Sequence, residues 1–135
     1  MTPRGVRNNS PLNVRHSAAQ QFVGERAPDA EGFCTFVSPI DGIRAGARIL
    51  LTYYRRDGIR TIRGAITRWS ATDQGPYVRF VSAYVGTAAD QAFNFLDPVL
   101  LYKLVSAIIY FEIGANPYNP TQIKVALAQA IGGTP

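Results

Sequence analysis

The chain has 135 residues, of which 47% are apolar, 11% aromatic and only 17% charged. These values exclude a disordered or fibrous protein, because a single domain of this length buries roughly two thirds of its unfolded surface without disulfides or metals. The net charge of +5 comes mainly from arginine, which supplies twelve of the fourteen cations and favours bidentate contacts with carboxylates and phosphates.

The first 37 residues predict an extended N-terminal arm and loop. They are rich in Asn, Ser, Pro and Gly and show no helical period, with at most a short strand around 33–37. Helical patterns dominate afterwards, so we expect residues 38–131 to form a helical core and 132–135 a tail. The arm, residues 1–37, is expected to pack on this core.

Five short helices are predicted in the core. The first begins at Ser38-Pro39-Ile40-Asp41, where a serine cap, a proline in the first turn and an acidic residue form a capping box, and it ends at Gly58. The other four are predicted over 61–69, Pro76 to Gly86, Asp97-Pro98 to Gly114, and Asn119-Pro120 to Gly132. The fold class is therefore mainly α, a compact single domain with at most a minimal β element.

Basic charge is concentrated in the middle of the chain, where residues 44–79 carry eight arginines against two aspartates. A stripe of this size would suit a nucleic acid or another anionic polymer, and the residues available for it are Arg44, Arg48, Arg55 and Arg63. A solvated face or an acidic protein neighbour is an equally open interpretation.

Cysteine and histidine each occur once, as Cys34 and His16. The single cysteine excludes an internal disulfide, and with a single histidine it also excludes a conventional structural zinc site. Cys34 lies between phenylalanines and is expected in the core, while His16 has no clear acid partner. We therefore expect neither a metal site nor a cofactor, and no Ser, Cys or Lys nucleophile is indicated.

No membrane span or signal peptide is expected. The longest apolar candidate, 99–113, is interrupted by Lys103, Ser106 and Glu112 and is shorter than the roughly 20 residues that cross a bilayer. The arginines near the N-terminus have no apolar run behind them.

Glu112 breaks the apolar pattern of the fourth predicted helix. Ile108, Val105 and Leu101 precede it on one stripe, so Glu112 continues the inward face in the last turn. Desolvation and the helix dipole both favour a protonated carboxyl at such a position, as a general acid acting on a glycosidic oxygen requires. The alternative is that the helix frays before Glu112 and leaves the carboxylate in water or paired with an arginine.

Polar residues elsewhere could line a cleft with Glu112. Asn116 and Tyr118 follow it closely, and an amide with an aromatic ring suits sugar binding, although the same segment suits a turn. Asp73 is either a second carboxylate of the cleft or the cap of the next helix.

The arm contains an unusual run, Arg-Gly-Val-Arg-Asn-Asn-Ser-Pro-Leu-Asn-Val-Arg, at 4–15. Its asparagines, among them Asn9 and Asn13, either cap turns or present amides to a ligand. The run resembles the opening of a family of bacteriophage virion structural proteins with a lysozyme-like or lytic-transglycosylase-like domain. Further blocks match that family in the same order along 4–130, namely 32–36, 41–45, 61–69, Tyr77, 107–114 and Pro117-Tyr118.

The resemblance implies a lysozyme-like fold and a peptidoglycan-cleaving domain located in the virion. Glu112 falls at the position of the family's acid, and Tyr77, Asn9 and Asn13 fall within matching motifs. Such an enzyme needs only one glutamate, since the substrate's own acetamido or hydroxyl group can supply the second partner.

Three positions depart from the family's pattern: the residue after the proline is Leu12, the third asparagine is replaced by Ser10, and the glutamate is followed by Ile113. The resemblance therefore leaves open whether catalysis is retained. Two hypotheses follow, a virion protein that cleaves peptidoglycan at host cell entry and a non-catalytic virion subunit that bridges capsid or tail proteins. Both imply other virion proteins as partners, and the first adds peptidoglycan.

Overall fold

Helices make up most of the chain over residues 2–72 and 74–132, which the computed structural model describes. The helices of this part are α1 (Arg4–Arg7), α2 (Pro39–Arg55), α3 (Ile62–Trp69), α4 (Gln74–Val85), α5 (Pro98–Ile113) and α6 (Pro120–Gly132). Two short strands, β1 (Glu25–Arg26) and β2 (Thr35–Phe36), pair antiparallel with Glu25 opposite Phe36. The expected mainly α single domain with a minimal β element is confirmed, and α1 is an additional helix within the arm.

Two of the core helices, α2 and α5, begin at the capping residues that the sequence indicates. Ser38 Oγ accepts the Asp41 amide at 3.3 Å at the start of α2. At the start of α5, Asp97 Oδ1 accepts the amides of Val99 and Leu100 at 2.9 and 3.3 Å. These bonds satisfy amides that have no partner within their own helix, which explains why the predicted starts of α2 and α5 are confirmed.

Two helix boundaries differ from the predicted ones. α2 ends three residues before Gly58, because that glycine has a φ of 70° and forms the turn beyond the helix, where the Ile59 amide donates to the Tyr53 carbonyl at 3.0 Å. α4 begins at Gln74 and not at Pro76, since a proline in the first helical turn removes no intrahelical hydrogen bond.

One hydrophobic core unites the helices, whose most extensive pairings are α2 with α6 and α4 with α5. The expected inward stripe of α5 is inaccessible to solvent at Leu101, Leu104, Val105 and Ile108. Cys34 is also fully buried, which confirms its expected place in the core. None of the helices within the described ranges is long and apolar enough to cross a membrane.

The arm packs closely against α2 through two glycines of that helix. A Cβ atom at Gly42 would collide with the carbonyl oxygen of Asn9, and a Cβ atom at Gly46 would lie 2.6 Å from Leu12 Cδ2. The absence of side chains at these two positions therefore allows the arm to cross the helix. This crossing brings the next residue of the arm, Asn13, to the end of α5.

Candidate active site

Glu112 lies in a cleft of about 690 Å³ at the C-terminal end of α5. The arm forms one wall of the cleft, and the end of α3 with the loop that follows forms the other. Glu112 is the one carboxylate among the lining residues that the structure describes, which also include Arg4, Asn13, Arg15, Phe33, Tyr53, Arg68, Trp69 and Gln74. The cleft thus combines a single acid with basic, amide and aromatic groups.

Both carboxylate oxygens of Glu112 accept a hydrogen bond from a neutral side chain. Asn13 Nδ2 donates to Oε1 at 2.9 Å, and the Tyr77 hydroxyl donates to Oε2 at 2.8 Å. The helix does not fray before Glu112, since α5 continues to Ile113. The arm, α4 and α5 each supply one of the three residues, so this arrangement exists only in the folded chain.

Tyr77 is a rigid hydrogen-bond donor to Glu112. Only 1% of the residue is exposed, and its ring stacks on Phe111 with centroids 3.8 Å apart and planes inclined by 20°. Burial, followed by the nearby Glu112 carboxylate, raises the pKa of the Tyr77 hydroxyl, which therefore stays protonated. The stacked ring holds its hydroxyl in one position and so fixes the orientation of the carboxylate.

Asn13 reaches Glu112 from a tight turn in the arm. Its φ of 52° lies in the left-handed region, which asparagine tolerates better than most residues. Ser10 stabilises the turn twice, because its carbonyl accepts the Asn13 amide at 2.8 Å and its Oγ accepts the Val14 amide at 3.3 Å. The Oδ1 atom of Asn13 is buried without a hydrogen-bond partner among the described residues.

Aromatic rings and arginines form the walls of the cleft. Trp69 packs edge-on against Tyr53 with centroids 6.4 Å apart. On the opposite wall, the guanidinium groups of Arg4 and Arg15 lie 4.0 and 4.5 Å from the centroid of the Phe33 ring. The sequence interpretation assigned no role in the site to Trp69 or Phe33. Both residues fall within blocks that match the phage family, and this match was the signal in the sequence that could have identified them as site residues.

Three of the other candidate residues, Asn9, Asn116 and Tyr118, do not line the cleft of Glu112. Asn9 Nδ2 donates to the carbonyls of Phe36 and Val37 at 3.1 and 3.4 Å, which ties the arm to β2. Asn116 Oδ1 accepts the Tyr118 amide at 3.3 Å, the local turn that the sequence allowed as an alternative. Tyr118 packs against the core, and its burial raises its pKa. Asp73 lies outside the described residues.

The arginines proposed for a nucleic acid do not share one exposed face. Arg44 is only 5% exposed, and Arg48 Nη1 donates to the Ala130 carbonyl of α6 at 2.9 Å. Arg63 forms a bidentate pair with Asp90, at 2.6 and 3.2 Å. The expectation of a continuous basic stripe was therefore wrong. Arg44 is buried, Arg48 is bonded to α6, and Arg63 is paired with Asp90.

One cluster of ionisable side chains was missed by the sequence interpretation. His16 Nδ1 lies 2.8 Å from Glu25 Oε2, so the view that His16 has no acid partner was wrong. Cys34 Sγ donates to the same oxygen at 3.5 Å. Burial, with the charge of Glu25 next in importance, raises the pKa of the Cys34 thiol to about 12. Glu25 lies near Cys34 because β1 pairs with β2, and His16 joins them because the arm pairs with the segment just before Cys34. No local sequence pattern indicated these pairings.

Fold and site together define a small helical protein whose cleft contains one fixed glutamate. Protein P5 of Pseudoalteromonas phage PM2 is 38% identical to the chain over 127 residues, which cover 90% of this chain and 78% of that protein. The chain belongs to the family of this phage protein. The expectation of a bacteriophage protein is thereby confirmed, and no family model matches the chain.

Proposed function

We propose that the chain is a structural protein of a bacteriophage virion with a lysozyme-like domain that cleaves peptidoglycan at host cell entry. Its membership of a phage protein family supports the location. The observation that carries the activity is the cleft, in which Glu112 is held by Asn13 and Tyr77 and is open to a ligand. Neither Leu12 nor Ile113 fills the cleft, so those departures from the family's motifs leave the site accessible.

Glu112 acts as acid and then as base in this proposal. Its protonated carboxyl donates the proton to the glycosidic oxygen as the bond from that oxygen to C1 of the sugar breaks. A hydroxyl of the same sugar then attacks C1 and returns its proton to Glu112, which restores the starting state. One carboxylate suffices for this cycle, in agreement with the single acid among the described lining residues.

The walls of the cleft suit a chain of sugars that bears acidic peptides. Trp69 offers an apolar ring surface to a sugar face, while Arg4, Arg15 and Arg68 offer cations to the carboxylates of the peptides. We therefore propose that Trp69 contacts the substrate, whereas Asn13 and Tyr77 hold Glu112 in position for proton transfer.

A zymogram on purified peptidoglycan tests this function. The native chain is expected to clear the gel, and Glu112→Gln is expected to lower the cleavage rate by about 10²–10⁴-fold, because the amide cannot transfer the proton. Asp90→Asn serves as the control, since it removes an exposed carboxylate that pairs with Arg63 away from the cleft. Equal clearing by the native chain and Glu112→Gln, or none by either, would refute the catalytic role.

A non-catalytic virion subunit is the second candidate function, and a surface patch favours it. Phe80, Tyr84 and Tyr110 lie within 6.0 to 6.4 Å of one another, measured between ring centroids. Tyr84 and Tyr110 are 42% and 43% exposed, so their rings could pack against another virion protein. Absence of clearing by a folded native chain, together with loss of virion incorporation in Tyr84→Ser/Tyr110→Ser, would support this candidate.

A further inference from the structure

Three side chains of the arm converge at a point away from Glu112. His16, Glu25 and Cys34 each offer one possible ligand atom, and these three atoms lie within 4.8 Å of one another. We propose that they form a binding site for a divalent transition-metal ion of the zinc class. Because the site lies outside the cleft lining, this proposal does not depend on peptidoglycan cleavage.

The backbone fixes the three donor residues in neighbouring extended segments. The Cys34 amide donates to the Val14 carbonyl at 2.9 Å, and the His16 amide donates to the Gly32 carbonyl at 2.9 Å. Glu25 belongs to β1, which pairs with β2, and β2 begins directly after Cys34. The donor atoms are therefore brought together by hydrogen-bonded segments and not by the chance orientation of long side chains.

Glu25 is oriented as a metal ligand usually is. Its Oε1 accepts the Phe22 amide at 3.0 Å, which leaves Oε2 facing His16 and Cys34. The Glu25 side chain is only 1% exposed, so its charge needs compensation inside the protein. The carboxylate and the Cys34 thiolate would together neutralise the two charges of a divalent cation, while the His16 imidazole would bind it in the neutral form. The Phe22 amide would hold the Glu25 carboxylate in place as a ligand.

The donor set selects the class of metal. Sulfur, nitrogen and oxygen together suit zinc or cobalt, whereas magnesium and calcium prefer oxygen ligands alone. In a tetrahedron with bonds of about 2.3 Å to sulfur and about 2.0 Å to nitrogen and oxygen, the donor atoms are separated by roughly 3.3 to 3.6 Å. Cys34 Sγ and Glu25 Oε2 already stand 3.5 Å apart.

The pair of His16 and Glu25 must open slightly to admit the ion. Their contact of 2.8 Å would lengthen by about 0.5 Å on metal binding. The His16 side chain is 31% exposed and can make this movement, and the same exposure leaves a fourth position for water. Binding would release the thiol proton of Cys34 to solvent and form the metal–sulfur bond.

Cobalt titration of the reduced native chain tests the site. We expect one Co²⁺ ion per chain, a thiolate-to-cobalt charge-transfer band, and displacement of that band by one equivalent of Zn²⁺ but not by excess Mg²⁺. Absence of the charge-transfer band at saturating Co²⁺ in the native chain would overturn the proposal, whatever the variants show.

Variants identify the ligands. Cys34→Ser should abolish the charge-transfer band. Glu25→Gln and His16→Gln should each weaken cobalt binding by more than about 100-fold, which exceeds the loss expected when a residue that only hydrogen-bonds to a ligand is removed. Glu31→Gln is the matched control, because it neutralises an exposed carboxylate of the same segment and should leave binding unchanged. A band that persists in folded Cys34→Ser would assign the cobalt to another site and refute the proposal.

Discussion

The carboxylate of Glu112 is stabilised at the end of α5 by two donors, although the helix dipole disfavours a negative charge there. Tyr77 and Asn13 each offer a neutral N–H or O–H group to one oxygen. Both donors are neutral, so directed hydrogen bonds and not an ion pair fix the position of the two carboxylate oxygens.

Removal of the Tyr77 hydroxyl should destabilise the fold. Tyr77→Phe keeps the ring stacked on Phe111 but takes away the donor to Glu112, and we expect the free energy of unfolding to fall by about 1–3 kcal/mol. Urea denaturation monitored by circular dichroism measures this change. Tyr84→Phe is the control, because Tyr84 is 42% exposed and its hydroxyl should contribute less than about 0.5 kcal/mol. Equal losses in both variants would show that the bond to Glu112 is not stabilising.

At the scale of elements, the crossing of the arm over α2 depends on close backbone contact. Gly42 and Gly46 lie one helical turn apart, and each faces a residue of the arm, Asn9 and Leu12 respectively. Helix propensity alone would favour alanine at both positions. Close contact with the arm therefore outweighs helix propensity and requires glycine at positions 42 and 46.

Gly42→Ala is expected to destabilise the protein by about 1–3 kcal/mol, since the new methyl group must displace the Asn9 carbonyl. Gly75→Ala lies in the first turn of α4, where the nearest atom, Arg79 Nη1, is 3.4 Å away. This control should be neutral or stabilising by up to about 1 kcal/mol. Thermal denaturation of both variants gives the comparison, and a stabilised Gly42→Ala would contradict the tight crossing.

The elements of the core could be predicted because their signals are local. Ser38 and Asp97 cap their helices through amides two or three residues away, so short stretches of sequence contain the information. α1 could not be predicted in this way, because its four residues include a glycine and form no apolar period. Its Gly5 is buried close to Ile113 and the Ser10 carbonyl, so tertiary packing and not propensity stabilises this turn.

The candidate site was predictable only in part for the same reason. Glu112 was identified because it interrupts a local apolar stripe, and α5 does contain it. The bond from Asn13 crosses 99 positions of the chain and had no local signature. The cluster of His16, Glu25 and Cys34 likewise depends on strand pairing, which two-residue strands do not reveal in a sequence.

For the whole molecule, the close packing of the arm predicts that it unfolds together with the helices. The amides of Cys34 and Phe36 donate to Val14 and Asn8 across the arm, each at 2.9 Å. We expect these amides to exchange with the same opening free energy as the Leu104 amide in α5, within about 1 kcal/mol. Native-state hydrogen exchange measures all three. Much faster exchange of Cys34 and Phe36 would show that residues 1–37 open as a separate unit.

The long-range bonds of Glu112 also set when the cleft comes into being during protein synthesis. The glutamate emerges from the ribosome after both of its partners, 99 and 35 positions earlier in the chain, and α6 must follow before it can pack against α2. Closing such long loops is slow compared with forming a helix. A nascent chain therefore has no assembled cleft until α6 has been synthesised and can pack against α2.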